Sequence, residues 1–450
     1  MNRRASLIFG IVALCFFLSG MAGLVYQIVW TRYLSLFLGH TSYAVVAVLV
    51  AFMGGLALGN AWLGAKADFS KRPLAFYGWL EIIIGLYALL FPFYYTFCED
   101  LYVVLARALG SNSGMLLVLK FFFSLITILL PTVMMGATFP VLTKFVTRSL
   151  GELREKVAAL YAINSTGAVF GCWVADFWWV PAVGLESTVW AGAAINLLVG
   201  VVSLAVSNRI MEGETPPPEE TKPEEHLEQF SATELRLAMV GIGISGFVAM
   251  LYEVIWTRIL ALALGSSTHA FSIMLMTFIT GIAIGAWIIY RWKRLKNTLQ
   301  AFAWAEIALA MTLFVSMYIY DLLPYWFNKM ASMLVRTDNA YPLYELFQML
   351  ICAAVMLIPT ICLGMTLPLV SRIATAELAR TGRSVGKVFA VNTLGTVLGA
   401  SVSGLVLLPW FGLAQTLGLG IFLNLLVGAM VLLRNYVPRQ ALWFGIGPVL

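Results

Sequence analysis

Two glutamates occur inside long apolar stretches, where a charged side chain is costly. Glu81 lies two residues after Trp79, and Glu306 lies two residues after Trp304. An ionised side chain at the centre of a bilayer costs at least about 2.5–3.5 kcal/mol on insertion scales, so such residues call for a functional hypothesis. The functional interpretation is a pair of carboxylates that line a central cavity and bind a cation or carry a proton. The structural interpretation is that each carboxylate only fixes packing.

Three further ionisable residues stand in or beside apolar runs. Arg32 and Arg258 each follow a tryptophan by two residues, which is typical of an interfacial anchor; the alternative is a paired site for an anionic group. Glu253 stands in the second copy where the first copy has Gln27. If Glu253 contacts Arg258, that arginine is less available for a paired anion site with Arg32. Asp176 needs water or a base, and Lys120 is the predicted partner.

Two amides, Asn164 and Asn392, also lie within apolar runs. Buried amides bond to neighbouring helices or bind a solute, and bonding between helices is the favoured interpretation. Glycines four residues apart predict close helix crossings at Gly55 and Gly59, Gly167 and Gly171, Gly281 and Gly285, and Gly395 and Gly399.

The elements that must position these side chains are membrane-spanning helices. The chain has 450 residues, of which 61% are hydrophobic and only 11% are charged. The apolar residues come in blocks of about 20, long enough to cross a bilayer as a helix. The predicted spans are 6–31, 37–63, 74–97, 115–141, 157–181, 187–206, 235–257, 266–290, 299–320, 345–369, 386–409 and 414–433.

Most of the basic residues fall in the loops on one side of the predicted membrane spans. With a cytoplasmic N-terminus, all but six of the 28 lysines and arginines lie at cytoplasmic loops; the six are Arg32, Arg107, Lys120, Arg258, Lys329 and Arg336. The positive-inside rule therefore predicts that both ends are cytoplasmic. Because the charge is divided among short loops, nucleic-acid binding is not indicated. The five cysteines indicate neither a disulfide framework nor a metal site. A literal GxGxxG at Gly241, Gly243 and Gly246 lies within an apolar helix with no preceding strand, so no cofactor is predicted.

The chain also repeats itself. The run from Ser19 to Arg32 matches the run from Ser245 to Arg258 at an offset of 226. Later positions match at an offset of 228: Pro131, Gly136, Pro140, Asn164, Pro181 and Gly184 with Pro359, Gly364, Pro368, Asn392, Pro409 and Gly412. Since six spans separate the copies, both enter the membrane in the same direction. The predicted fold is an all-α polytopic membrane protein with twelve or more helices in two parallel six-helix repeats.

The predicted domains follow from the repeat. Residues 1–206 form the N-terminal bundle, and 235–436 form the C-terminal bundle. Between them, 207–234 is a glutamate- and proline-rich cytoplasmic linker. Residues 437–450 resemble the start of a further helix, which predicts that the chain is a truncated piece.

The loop after the second span carries Gly64, Asp68, Lys71 and Arg72. This pattern resembles the loop motif of the major facilitator superfamily, a glycine and an aspartate followed by basic residues. The resemblance implies a cytoplasmic loop that helps to latch one conformation.

A wider resemblance covers nearly the whole chain. The runs SGMAGLVYQIVWTRYL, AFMGGLALG, MGATFPVLTK and YAINSTGAVFG resemble the membrane module of fused major-facilitator/spermidine-synthase-like proteins. In that family, a soluble aminopropyltransferase-like domain often follows; no cofactor loop for one is present here, so the chain itself is not predicted to be an enzyme. Where the family pattern has a glycine, this sequence has Asp176.

Three functions are open at this point. The first is a transporter of a small polar or cationic solute, with a polyamine as the amine that the resemblance suggests. The second is a membrane platform for a downstream aminopropyltransferase-like domain, and the third is a non-transporting scaffold with a membrane partner. For all three, the predicted location is a bacterial inner membrane.

Overall fold

The computed structural model describes residues 3–38, 42–109, 113–147, 150–212, 228–264, 268–293, 295–320, 322–333, 341–375 and 380–436. The described residues form α-helices joined by short turns. The helices are α1 (Arg3–Leu38), α2 (Ser42–Ala67), α3 (Pro73–Leu109), α4 (Ser113–Val146), α5 (Leu150–Val174), α6 (Val180–Glu212), α7 (Ala232–Leu264), α8 (Thr268–Arg291), α9 (Thr298–Tyr320), α10 (Leu323–Met333), α11 (Tyr341–Ala374), α12 (Thr381–Val402) and α13 (Leu408–Tyr436).

The predicted spans are confirmed as long helices. Nine stretches of the described chain are long and apolar enough to cross a membrane; two of these, of 59 and 54 residues, each contain two helices. Together with α2, they account for the twelve predicted spans. Outward-facing leucine, phenylalanine and tryptophan side chains are exposed on these helices, as is expected of surfaces that contact lipid.

Both halves break their helices in the same way. A π-helical segment, Ala175–Trp179, follows α5, and a second, Ser403–Leu407, follows α12. Each is succeeded by a glycine of positive φ, Gly184 at 80° and Gly412 at 72°. These glycines separate the fifth span from the sixth and the eleventh from the twelfth. Residues that match at an offset of 228 in the sequence therefore also adopt the same backbone conformation.

Helix packing repeats as well. In the N-terminal half α1 packs on α5, α2 on α4, and α3 on α6; in the C-terminal half α7 packs on α12, α8 on α11, and α9 on α13. The predicted glycine pairs lie at these crossings: Gly55 and Gly59 face α4, Gly167 and Gly171 face α1, Gly281 and Gly285 face α11, and Gly395 and Gly399 face α7. The two halves meet along α2 with α12 and along α5 with α8.

Two features depart from the sequence prediction, and two predicted segments are left untested. Helix α3 runs on to Leu109, past the predicted end at 97, because the sequence between has no proline or glycine to stop it. The short helix α10 was not predicted. The predicted linker and the last segment, 437–450, lie largely or wholly outside the described residues; α6 ends at Glu212 and α7 begins at Ala232.

Candidate functional site

Glu81 lies on α3 and is held by α1 and α6. The carboxyl group is fully buried. Ser19 Oγ donates a hydrogen bond to Oε1 at 2.6 Å, and Asn196 Nδ2 donates to Oε2. Tyr26 OH in turn donates to Asn196 Oδ1 at 2.7 Å. Both carboxylate oxygens of Glu81 therefore have a hydrogen-bond donor inside the bundle.

Glu306 occupies the matching place on α9 but has different surroundings. It too is fully buried, yet neither carboxylate oxygen has a hydrogen-bond donor. The Ser245 hydroxyl, which matches Ser19, lies close to this carboxyl group. Asn424 matches Asn196, but its Nδ2 donates to Tyr252 OH at 3.0 Å, and its Oδ1 has no donor. The same four residue types (glutamate, serine, asparagine and tyrosine) are therefore linked by hydrogen bonds around Glu81. Around Glu306, the hydrogen bonds do not include the carboxylate oxygens.

The two glutamates do not share a site. The partners of Glu81 belong to α1 and α6, and the side chains around Glu306 belong to the C-terminal half. The sequence analysis identified the carboxylates but missed Asn196 and Asn424. The signal was available, since these asparagines match at the same offset of 228.

Asp176 has a different partner from the one predicted. It lies in the first π-helical segment, is fully buried, and forms an ion pair with Arg32 of α1. Lys120 Nζ instead lies 5.9 Å from the centre of the Phe37 ring and 5.6 Å from that of Tyr102. The predicted pairing with Lys120 is therefore wrong, because the wider π-helical turn directs Asp176 towards α1. Arg32 is an ion-pair partner and not only an interfacial anchor.

The C-terminal half has no equivalent ion pair among the described residues. Gly404 stands where Asp176 stands in the first half. Arg258 is exposed, whereas Glu253 is buried with 5% of its surface accessible. No ion pair joins these two described residues, so their predicted contact is wrong. Glu253 is therefore a second buried carboxylate without an ion-pair partner among the described residues.

Asn164 and Asn392 lie at close helix crossings. A Cβ atom built on Gly20 would stand 2.7 Å from Asn164 Oδ1, and one built on Gly246 would stand 2.9 Å from Asn392 Oδ1. Neither side-chain amide makes a hydrogen bond to another described residue, so the predicted bonding between helices is not observed. Both amides are half-buried between α1 and α5 or between α7 and α12.

The predicted loop motif joins the two halves. Asp68 accepts hydrogen bonds from the backbone N–H groups of Gly382 and Arg383, both at 2.8 Å. These groups open α12, so the carboxylate lies at the positive end of a helix dipole. Lys144 Nζ is 3.8 Å from Asp68 Oδ1. Gly64 packs at the crossing with Pro140 and Gly386, whereas Lys71 and Arg72 are exposed.

Further contacts close the same end of the molecule, which we call the basic face. Arg154 of α5 donates to the carbonyl oxygens of Leu295 at 3.2 Å and Trp292 at 3.4 Å, in the α8–α9 connection. Deeper inside, the rings of Phe139 on α4 and Phe389 on α12 stack with centroids 4.3 Å apart. These contacts all cross between halves, so the basic face is closed in this structure.

The comparisons with known proteins concern the fold. No family model matches the chain, and no curated protein matches it. Among solved structures, a bacterial homologue of the iron transporter ferroportin in an outward-facing state superposes with a TM-score of 0.62 at 15% identity, covering 94% of this chain and 98% of that one. The major facilitator superfamily transporter FucP in the outward conformation gives 0.55 at 14% identity, covering 95% and 99%.

These likenesses extend over nearly the full length of each chain. They agree with the repeated helix packing. The protein is an integral multi-pass membrane protein with the fold of the major facilitator superfamily transporters.

Proposed function

We propose that the protein is a membrane transporter that moves a small polar or cationic solute by alternating access. The observation that carries this proposal is the latch between Asp68 and the first turn of α12. The latch joins the two halves at one face through a few polar contacts, which a rocking motion can break without disturbing either bundle.

The orientation follows from the charge distribution. The basic face carries the α2–α3 and α8–α9 connections, which belong to the side of the predicted pattern where all but six of the 28 lysines and arginines lie. Under the positive-inside rule, this face is cytoplasmic, and both ends of the chain are on that side. In a bacterial cell, the membrane would be the inner membrane. The closed state seen here is then the one that opens away from the cytoplasm.

The proposed solute is a cation. Glu306 is a buried carboxylate whose oxygens have no hydrogen-bond donor in the described chain, and Glu253 is a second buried carboxylate without an ion-pair partner there. Arg32, in contrast, is paired with Asp176. An interior with unpaired acids and a paired base favours positive charge. One structural neighbour is described as a bacterial homologue of the iron transporter ferroportin. The resemblance to spermidine-synthase-like proteins favours an organic amine, and a polyamine is the first solute to test.

Flux into liposomes tests this function. Purified protein is reconstituted, and uptake of labelled spermidine, and separately of ferrous iron, is followed against protein-free liposomes. The proposal expects saturable uptake of one cation that falls in Glu253→Gln. A neutral sugar serves as the contrasting solute. If no cation and no sugar moves faster than in protein-free liposomes, the transport function is rejected and a scaffold or platform role is favoured.

A further inference from the structure

The connection between α8 and α9 lacks the acid that its counterpart in the first half carries. At the repeat offset of 226, Asp68 of the α2–α3 connection corresponds to Arg294, and residues 292–297 contain no aspartate or glutamate. The first connection uses its carboxylate to hold the start of α12. In the described chain, the second connection offers Arg154 of the opposite half two backbone carbonyl oxygens. By the repeat, a carboxylate is missing from this connection.

A glutamate from the end of the linker lies at this place. Glu228 Oε1 accepts a hydrogen bond from the backbone N–H of Thr298 at 2.8 Å, and Oε2 accepts one from the Thr298 hydroxyl group. Thr298 is the first residue of α9, so the carboxylate lies at the positive end of that helix. Asp68 holds the start of α12 by the same kind of contact.

Two arginines from opposite halves face the Glu228 carboxylate. Arg154 of α5 and Arg372 of α11 lie within electrostatic range of Glu228 and of each other. The Arg372 guanidinium carbon is 5.9 Å from the centre of the Phe230 ring, two residues after Glu228. Because two positive charges repel each other across the boundary between the halves, a negative charge beside both lowers the energy of the closed arrangement.

The segment that carries Glu228 is fixed to the C-terminal half. The Ser231 N–H group donates to the Glu234 carboxylate at 2.6 Å, and the Glu234 N–H group donates to the Ser231 hydroxyl at 3.3 Å. This pair is a capping box at the start of α7. Since the segment is held by α7 and by α9, a rocking motion of the halves would carry Arg154 away from Glu228.

We infer that Glu228 is the carboxylate of a second latch, supplied by the linker to a connection that has no acid of its own. Its negative charge keeps Arg154 beside Arg372 while the basic face is closed. The end of the linker is therefore part of the closing contacts and not only a tether between the bundles. This inference rests on the proposed transport function, in which the basic face opens and closes.

Labelling of a cysteine placed at Phe389, in a variant without the five native cysteines, tests this role. Phe389 stacks on Phe139 behind the closed face. Glu228→Gln keeps the size of the side chain and removes its charge, so the labelling rate should rise about two- to fivefold, as expected of charges near a protein surface. Gln229→Ala is the matched control, because Gln229 is the next residue and is exposed. Equal rates in these two variants would overturn the inference.

A double variant separates the charge interaction from the local contact with α9. If Glu228 acts through Arg154, Glu228→Gln should raise the labelling rate little further in an Arg154→Gln background. If the two effects are fully additive, Glu228 only stabilises the start of α9, and the second latch is rejected.

Asp68→Ala distinguishes failure of this inference from failure of the proposed function. If Asp68→Ala raises the labelling rate and Glu228→Gln does not, the linker has no part in the closing contacts, and the transport proposal stands. If neither variant raises the rate, the basic face does not open, and the second latch and alternating access are both rejected.

Discussion

At the scale of single residues, the hydrogen bonds around Glu81 decide how much a buried charge costs. Asn196→Leu removes one donor from an enclosed carboxylate, and hydrogen bonds to charged groups contribute about 1.5–3 kcal/mol. We expect a stability loss of that order, measured as a lower thermal unfolding midpoint in detergent. Asn424→Leu is the matched control. Because Asn424 donates to neither oxygen of Glu306, that change should cost less; equal losses would contradict the difference between the two sites.

The Arg32–Asp176 ion pair offers a second comparison. Arg32→Gln removes the guanidinium group from the buried Asp176 carboxylate. Breaking a buried ion pair in this way costs up to about 3 kcal/mol when one member keeps 24% of its side chain exposed. Arg258→Gln changes the repeat-matched arginine, which is exposed and has no acidic counterpart at Gly404. We therefore expect a clear fall in the unfolding midpoint for the first variant only. Similar values for both would show that Arg32 is merely an interfacial anchor.

The sequence predicted which buried charged residues would need a partner, but it did not predict which partners they have. The cost of charge in lipid identified Glu81, Glu306 and Asp176. The partner of Asp176 depended on a π-helical turn, which rotates the side chain away from the direction an α-helix would give it. The opposite orientations of the Asn196 and Asn424 amides have no trace in the sequence, because the residues around them are the same types.

At the scale of helices, two glycines produce the turns that pair the spans. Gly184 has φ 80° and ψ 177°, a conformation that is essentially restricted to glycine. A Cβ built there meets nothing within 4 Å, so Gly184→Ala should cost about 1–3 kcal/mol through backbone strain alone. Gly418→Ala is the control, since it also has open space and its φ is not positive. A loss at Gly418 as large as that at Gly184 would show that strain is not the cause.

The helices themselves were predictable because each span is a long apolar block. The positions of most spans follow from length alone, since about 20 apolar residues fill a bilayer. What hydropathy did not predict is structure beyond the membrane, such as the end of α3 and the short helix α10. The π-helical segments were missed for another reason: they alter hydrogen bonding without altering the apolar pattern.

At the scale of the whole molecule, the Asp68 latch sets the balance between closed and open states of the basic face. Asp68→Ala removes two hydrogen bonds from a carboxylate to the start of α12, together worth at least about 1.5 kcal/mol, or more than tenfold in the equilibrium. We expect faster labelling of a cysteine placed at Phe389, behind the latch. Lys71→Ala is the control, because Lys71 is exposed and makes no contact in the described chain. Equal labelling rates in both variants would exclude a latch.

The overall fold was predictable because the sequence repeats. Matching residues at offsets of 226 and 228, six spans apart, require two parallel halves, and the structure has them. The contacts between halves were less predictable. The loop motif indicated a latch through Asp68, but the contact of Arg154 with the α8–α9 connection and the stacked rings of Phe139 and Phe389 depend on how the halves are placed, which no local pattern records.

The most direct test of the account is a pair of distances between spin labels in a variant without the five native cysteines. One pair, Lys71→Cys with Lys293→Cys, joins the halves at the basic face, and the other, Arg107→Cys with Lys329→Cys, joins them at the opposite face. Alternating access predicts two populations in lipid, in which one distance lengthens as the other shortens, and a transported cation should change their proportions. Two distances that stay fixed, or that lengthen together, would contradict the account.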